Sequence, residues 1–521
     1  MTRTPTPQQG SCIEAIKTHR MIKVEACAGS GKTSTLDMMA QATPVASLYL
    51  GFNKVTATEA SEKFPKHVTC KTTHSVAYAA FGSKIRDKLS RPKGRYVNVA
   101  GTGSEVGKFY KLSSIELSKD VTVSSAYLGL LAKQAVALFE QSSDDTLTKR
   151  HLPRGELFDL AKKSLANMDY TESVILGTAQ SMWNDRSNAR SLVLATHDTY
   201  LKMYQLSKPV LAGYDVLYVD EFQDTTPCVL DIVMNQCSHM KVVMVGDARQ
   251  AIYGWRGAVN AMQLVKCESR QLTKSFRYGQ RIADVATHVL EGAMVIEGNS
   301  NITSVAEFDC VNRSLPYTRL FRTNSGLLTA AVLEIQQGTK VAIEVDVKDF
   351  VKLMQSAVAL STGDSKNVKH DKLLPYKDWA DMVLEAKHDA ELGRIVKVVK
   401  DGKVSQWIEV LSGHLNSETP AVTFTTAHKS KGREFSQVVI EDDFKTCYND
   451  DGEWTGLTED EQNLLYVAVT RAIDKLEYNQ TVSEYLERAQ SREREVGFNL
   501  YGEGARGLMR DMRVAAQGEY A

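Results

Sequence analysis

Ala26-Cys27-Ala28-Gly29-Ser30-Gly31-Lys32-Thr33 is the stretch on which the fold turns. It follows the apolar run Ile22 to Glu25 and precedes a helical pattern that starts near Ser34, so it reads as a tight strand-to-helix turn made of small residues. Small residues let backbone N–H groups of Ala28, Gly29, Ser30 and Gly31 approach phosphate oxygens, and the N-terminus of the following helix favours negative charge. Lys32 can reach terminal phosphates and the Thr33 hydroxyl can ligate magnesium, which together make a phosphate-binding loop. Ala26 stands where such loops usually carry their first glycine.

Outward from this turn, short apolar runs alternate with helical stretches, as expected when parallel strands are joined by helical crossovers. Strands are expected at Ile22 to Glu25, Ala46 to Gly51, Val68 to Lys71, Val216 to Val219, Lys241 to Val245, Val422 to Thr425 and Gln437 to Ile440. Several are nearly all apolar, so both faces should be covered and the class is α/β. With 521 residues, 43% hydrophobic and 24% charged, the chain has material for about three or four compact units. Lys plus Arg and Asp plus Glu each number 63, so any polyanion must be held by a local patch rather than by net charge. The eight cysteines form no C-x-x-C pair, which argues against a disulfide framework or zinc site and for reduced thiols. No signal-peptide pattern and no run of 18 apolar residues is present, so a soluble, cytoplasmic protein without membrane contact is expected.

A second signal is Val216-Leu-Tyr-Val219-Asp220-Glu221-Phe222-Gln223-Asp224, an apolar strand that ends abruptly in acids. Such a strand delivers Asp220 to its C-terminal edge, where it can hold magnesium, while Glu221 beside it can orient or deprotonate a water. A strand-terminal turn with solvated acids is the simpler alternative, and the phosphate loop argues against it.

These acids, with Val245-Gly246-Asp247-Ala-Arg-Gln250-Ala-Ile252-Tyr253-Gly-Trp255-Arg256-Gly257-Ala258, resemble the UvrD/Rep/PcrA group of superfamily 1 DNA helicases. Further blocks extend the likeness: Gln9 near the N-terminus, Gly51-Phe52-Asn53-Lys54, Thr72-Thr73-His74-Ser75, Leu272-Thr-Lys-Ser-Phe276-Arg277, Thr426-Ala-His428-Lys-Ser-Lys431-Gly432-Arg-Glu434-Phe435 and Leu465-Tyr466-Val-Ala-Val-Thr470-Arg471-Ala472. The form of several blocks is closer to the F-box DNA helicase branch, or to compact phage and mobile-element relatives, than to the long repair enzymes. No F-box-like extension is expected.

The resemblance implies two RecA-like motor domains using ATP and Mg²⁺. It implies that Gln9 reads adenine, Phe276 stacks on it, Glu434 lies near the ribose, Gln250 senses the γ-phosphate, and Arg277 and Arg471 act as arginine fingers from the second motor domain. It assigns DNA contacts to Phe52, Asn53, Lys54, Thr73, His74, Tyr253, Trp255, Arg256 and His428, with Phe52, Tyr253 and Trp255 stacking on bases. Ser34 stands where many relatives carry a nucleotide-contacting arginine.

The expected organisation is a first motor domain of residues 1–83 and 208–267, a mostly helical insertion at 84–207, a second motor domain of 268–337 and 412–521, and a reduced accessory region at 338–411. The insertion opens with a basic segment, Lys84 to Arg95, which is either a duplex contact or a solvated loop. The activity implied is a 3′ to 5′ DNA helicase in repair, recombination or replication, acting on single strands and single/double-strand junctions as a monomer, with a loading protein as a further partner. A translocase that strips proteins from DNA, and an ATP-gated DNA-binding module of a recombination or defence complex, are the alternatives. Nucleoid association in a bacterium or phage, or a nuclear location in a eukaryote, would follow.

Overall fold

The computed structural model describes residues 4–90, 98–254, 257–376, 378–386 and 390–492. In chain order the strands are β1 (Met21–Ala26), β2 (Ser47–Gly51), β3 (Val68–Thr72), β4 (Ile115–Ser118), β5 (Val121–Val123), β6 (Val216–Val219), β7 (Lys241–Gly246), β8 (Glu268–Leu272), β9 (Val305–Ala306), β10 (Tyr317–Phe321), β11 (Val341–Ile343), β12 (Val422–Thr426), β13 (Phe435–Ile440) and β14 (Ala472–Glu477). They build two wholly parallel six-stranded sheets, in the orders β3-β2-β6-β7-β1-β8 and β11-β12-β10-β13-β14-β9, and β4 with β5 forms a small antiparallel pair. This is the α/β class with two RecA-like domains. All seven expected strands are present.

Period-two alternation explains how the first sheet is covered on both faces. Tyr49, Val216, Tyr218, Val243 and Val245 point to one side and pack with Cys12, Ile16, Leu36 and Met39 of helices α1 (Pro7–Thr18) and α2 (Lys32–Ala42). Leu48, Leu50, Leu217, Val219, Val242 and Met244 point to the other side. Crossover helices α3 (Lys54–Lys63) and α4 (Thr73–Ala80) start directly at the ends of β2 and β3, capped by the side chains of Asn53 and Thr72.

The segment after α4 is helical: α5 (Gly103–Phe109), α6 (Ser125–Gln141), α7 (Arg154–Lys163), α8 (Met168–Ser187) and α9 (His197–Leu206). Glycines let α5 and α6 touch backbone to backbone, since a Cβ at Gly129 would strike the Gly103 carbonyl. Leu128, Leu131, Val136, Phe139, Ile175 and Met182 are fully buried in the core of this segment.

Part of the basic segment lies outside the described residues. Of the remainder, Lys88 is a correction: it is neither solvated nor a DNA contact, because its ammonium is buried and donates to the carbonyls of Asp185, Arg186 and Asn188 at 2.5, 2.9 and 2.7 Å. Burial pulls its pKa down to about 8.

Contacts divide the chain into two units. The first runs to Leu272 and takes in Asn324–Gly338 and Val345–Leu415; the second comprises Thr273–Thr323, Thr339–Glu344 and the chain from Asn416. Among the described residues no helix is long and apolar enough to cross a membrane.

Candidate nucleotide and nucleic-acid site

In the first unit the turn after β1 brings its backbone round through left-handed Gly29 and Gly31, with φ of 76° and 77°. The Ser30 hydroxyl and the Cys27 carbonyl close the turn at 2.8 Å, and the Cys27 N–H is tied to Leu272 at the end of β8. Gly31 caps α2 with no side-chain hydrogen bond, and the N-terminus of a helix is a favourable place for an anion. Lys32 and Thr33, the first two helical residues, therefore stand opposite the acids at the end of β6.

The Thr33 hydroxyl donates to Asp220 Oδ2 at 3.0 Å, and the Lys32 ammonium lies 3.4 Å from Glu221 Oε1. Asp220 also accepts from the Tyr49 hydroxyl at 2.7 Å. Glu221 has a positive φ of 51°, a costly conformation for a side chain of this size, held by its own N–H donating to Asp220 Oδ1 at 2.9 Å. Gln223 ties the two neighbouring strand ends together: its amide nitrogen donates to Glu221 Oε2 at 2.5 Å, and its oxygen accepts from the Asp247 N–H at 3.0 Å. Asp247 in turn accepts from Gln250 Nε2 at 2.7 Å. Sequence reasoning passed over Tyr49, Gln223 and Asp247 as separate contributors. Tyr49 was detectable as a hydroxyl inside an otherwise apolar strand, and Asp247 as a carboxyl directly after one.

Burial raises the Asp220 carboxyl well above its ordinary pKa and the Glu221 charge adds to this, while Lys32, Tyr49 and Thr33 oppose it. Asp247 is raised by burial too, against Lys32 and Gln250. Two buried carboxyls facing one ammonium favour a further cation. Among the described residues no cluster of three or more His, Cys, Asp or Glu side chains forms a self-sufficient metal cage. Thr33 and Asp220, which are hydrogen-bonded to each other, are residues that could hold a magnesium ion, an ion that keeps few protein ligands.

Gln9 is buried, and its amide is engaged at both ends: Oε1 accepts from the Thr6 N–H at 3.0 Å and Nε2 donates to Thr35 at 3.2 Å. Thr35 donates to the Gly31 carbonyl, so Gln9 reaches the phosphate loop through one hydroxyl.

The candidate DNA-contact residues of this unit lie next to the acids. Phe52, 43% exposed, stacks on Tyr253 with ring centroids 5.8 Å apart and planes at 10°. Both rings, with Thr73 and His74, line a cavity of about 560 Å³ that Asp220 and Glu221 also line. A neighbouring cavity of about 930 Å³ is lined by Phe52, Asn53, Lys54 and His74. Asn53 has a local task as well, capping α3 by accepting from the Thr56 N–H, and His74 faces Asp198 at 3.3 Å. Trp255 and Arg256 lie outside the described residues.

The second unit carries the other group. Arg277 donates to Glu434 at 2.8 Å and to the Thr470 carbonyl at 2.9 Å. Arg471, 1% exposed, donates to the carbonyls of Val467 and Arg433 and to the Thr470 hydroxyl. Both guanidinium groups thus converge on Thr470. Phe276 is exposed beside them in sequence. Burial and the Arg322 charge push the imidazole of His428 down to about 4, so it is a neutral ring at pH 7.

A family profile described as the UvrD/REP helicase N-terminal domain matches residues 6–269, and one described as a UvrD-like helicase C-terminal domain matches residues 421–476. The chain is 31% identical over 518 residues to F-box DNA helicase 1 of Gallus gallus, covering 92% of this chain and 49% of the chicken protein. It is 28% identical to F-box DNA helicase protein 1 of Schizosaccharomyces pombe, over 93% of this chain and 58% of that protein. It is also 24% identical to Gabija protein GajB of Bacillus cereus, over 91% of this chain and 96% of that one. The chain thus spans about half the length of the F-box DNA helicases it matches.

Proposed function

The chain belongs to the UvrD/REP helicase family, and on that premise we propose that it hydrolyses ATP to move along single-stranded DNA from 3′ to 5′ and separates duplex ahead of it. The observation that carries this reading is the shared cavity: Asp220 and Glu221 form part of the same lining as Phe52, Thr73, His74 and Tyr253. A base stacked there, at ~1 to 3 kcal/mol per ring contact, lies within one short segment of the groups that would act on phosphate.

The roles follow from the contacts. Lys32 and the loop backbone bind the phosphates. Magnesium, held by Thr33 and Asp220, would neutralise charge on the transferred phosphoryl group. Glu221, fixed by its strained backbone and by Gln223, orients and deprotonates the attacking water. Gln250, bonded to Asp247 three residues before Tyr253, reports phosphate state to the stacking ring. Gln9 and Phe276 address the base, Glu434 the sugar, and Arg277 and Arg471 are the cations assigned to the transition state. DNA as the track is supported by the names of the F-box DNA helicases. Work as a monomer at single/double-strand junctions, in repair, recombination or replication, completes the proposal.

Glu221→Gln should keep ATP binding and lower turnover by roughly 10² to 10⁴. Polarity is tested with duplexes bearing one single-stranded tail: a 3′ tail should support ATP-dependent unwinding and a 5′ tail should not. Equal unwinding from both tails, or from the 5′ tail alone, rejects the assigned direction.

A further inference from the structure

Gly257 and Ala258 are tied back to Gly254 and Tyr253, the Gly257 N–H donating to the Gly254 carbonyl at 2.9 Å and the Ala258 N–H to the Tyr253 carbonyl at 3.2 Å, and the Val259 N–H donates to the Thr225 carbonyl at 2.9 Å. The same backbone is also touched from the helical insertion. Gly257 has a φ of 78°, and a Cβ built on it would run into the side chain of Gln141, whose Oε1, Cδ and Cβ fill that space. Gln141 is the last residue of α6 and lines the same cavity as Tyr253, Asp220 and Glu221.

The end of α6 is fixed from several sides. The fully buried ammonium of Lys202 donates to the carbonyls of Ser142 and Asp144 and lies 4.5 Å over the Phe139 ring. A cation at the carbonyl end of a helix is the favourable placement. Gln205 adds a donor to the Ser143 carbonyl at 3.2 Å while donating to Asp231 at 2.6 Å. The preceding residue, Glu140, accepts from Arg186, Thr196 and Thr199. Burying an ammonium and an ion pair for one helix end is expensive unless that end must stay put. At that end the side chain of Gln141 occupies the space beside Gly257.

We propose that Gln141 is a positioning residue: held by the Lys202 clamp, its side chain packs against Gly257 and fixes the turn that carries Tyr253, so the insertion sets how tightly the motor engages single-stranded DNA. The consequence for DNA rests on the proposed function; the positioning itself does not.

Two measurements on the full chain separate these. Amide hydrogen exchange at Gly257 and Ala258 should speed up by ~5-fold or more in Gln141→Ala with no change in melting temperature, and return to the wild-type rate in Gln141→Met, which restores the bulk without the amide. Unchanged exchange in Gln141→Ala overturns the proposal, and so does a Met variant that exchanges as fast as Ala, since packing would then not be what holds the turn. In ATPase titrations with oligothymidylate, Gln141→Ala should raise the half-activating concentration ~5-fold while leaving the maximal rate within about twofold, and Met should restore it. A fall in maximal rate at an unchanged half-activating concentration contradicts the positioning role. A wild-type chain that ignores oligothymidylate rejects the proposed function instead, and the exchange measurement still decides the role of Gln141.

Discussion

Arg277 and Arg471 carry the same proposed role, yet their surroundings make different demands on a mutation. Arg471 is buried and satisfies two carbonyls and a hydroxyl, so truncation strips acceptors of their donor inside the second unit. Arg471→Ala should lose roughly 3 kcal/mol of stability, visible as a lower urea midpoint, in addition to turnover. Arg277 leans on an exposed Glu434 and one carbonyl, so Arg277→Ala should stay within about 1 kcal/mol of wild type while turnover falls by ~10³ or more and ATP still binds. An Arg277→Ala protein with normal turnover would remove that arginine from the chemistry. His428 supplies a pH prediction. Its folded pKa, about 4, lies below the ordinary 6.5, so the unfolded chain binds the proton more readily. Its contribution is fully present above pH 6.5 and is lost as pH falls from there towards 4. Urea midpoints at pH 7 and 5 should therefore drop more in wild type than in His428→Gln, and equal drops would contradict the assignment.

At the scale of elements, what was legible in the sequence was whatever a buried parallel strand forces into an apolar run. The strands β2 and β6 are buried along their whole length and announce themselves. The phosphate loop and the acids after β6 are read the same way, because a strand ending in a functional turn changes composition within one residue. The strand β8, Glu268-Ser-Arg-Gln-Leu272, was not legible: it is an edge strand with one paired neighbour, and its outward residues are polar. Short β9 and β11 carry too few residues for a pattern. Lys88 shows the opposite failure. A lysine in a basic run reads as solvated, whereas three carbonyls at the end of α8 recruit it from 97 to 100 residues away. Lys88→Met should lower the stability of the helical insertion by about 1 to 3 kcal/mol and leave the slope of log affinity for DNA against log salt unchanged. A shallower slope would return Lys88 to the DNA surface. Tyr49 belongs to this scale too, since β2 holds its hydroxyl against Asp220 from the neighbouring strand. Tyr49→Phe should raise the magnesium concentration needed for half-maximal ATPase with little effect on folding, and an unchanged requirement would make that hydrogen bond merely structural.

At the scale of the whole molecule, the proposed function makes phosphate chemistry and DNA grip one apparatus, because the acids after β6 and the stacked pair Phe52–Tyr253 line a single cavity. The strand-crossing link from Glu221 through Gln223 and Asp247 to Gln250 gives that arrangement a connected path of hydrogen bonds. A chain built this way should turn over ATP slowly by itself and fast on a single strand. The most direct measurement is the steady-state ATPase rate of the purified chain with and without single-stranded DNA. The account predicts a rise on the order of tenfold or more, equivalent to about 1.4 kcal/mol of barrier, that disappears in Phe52→Ala/Tyr253→Ala. A rate that is the same with and without the strand would contradict it.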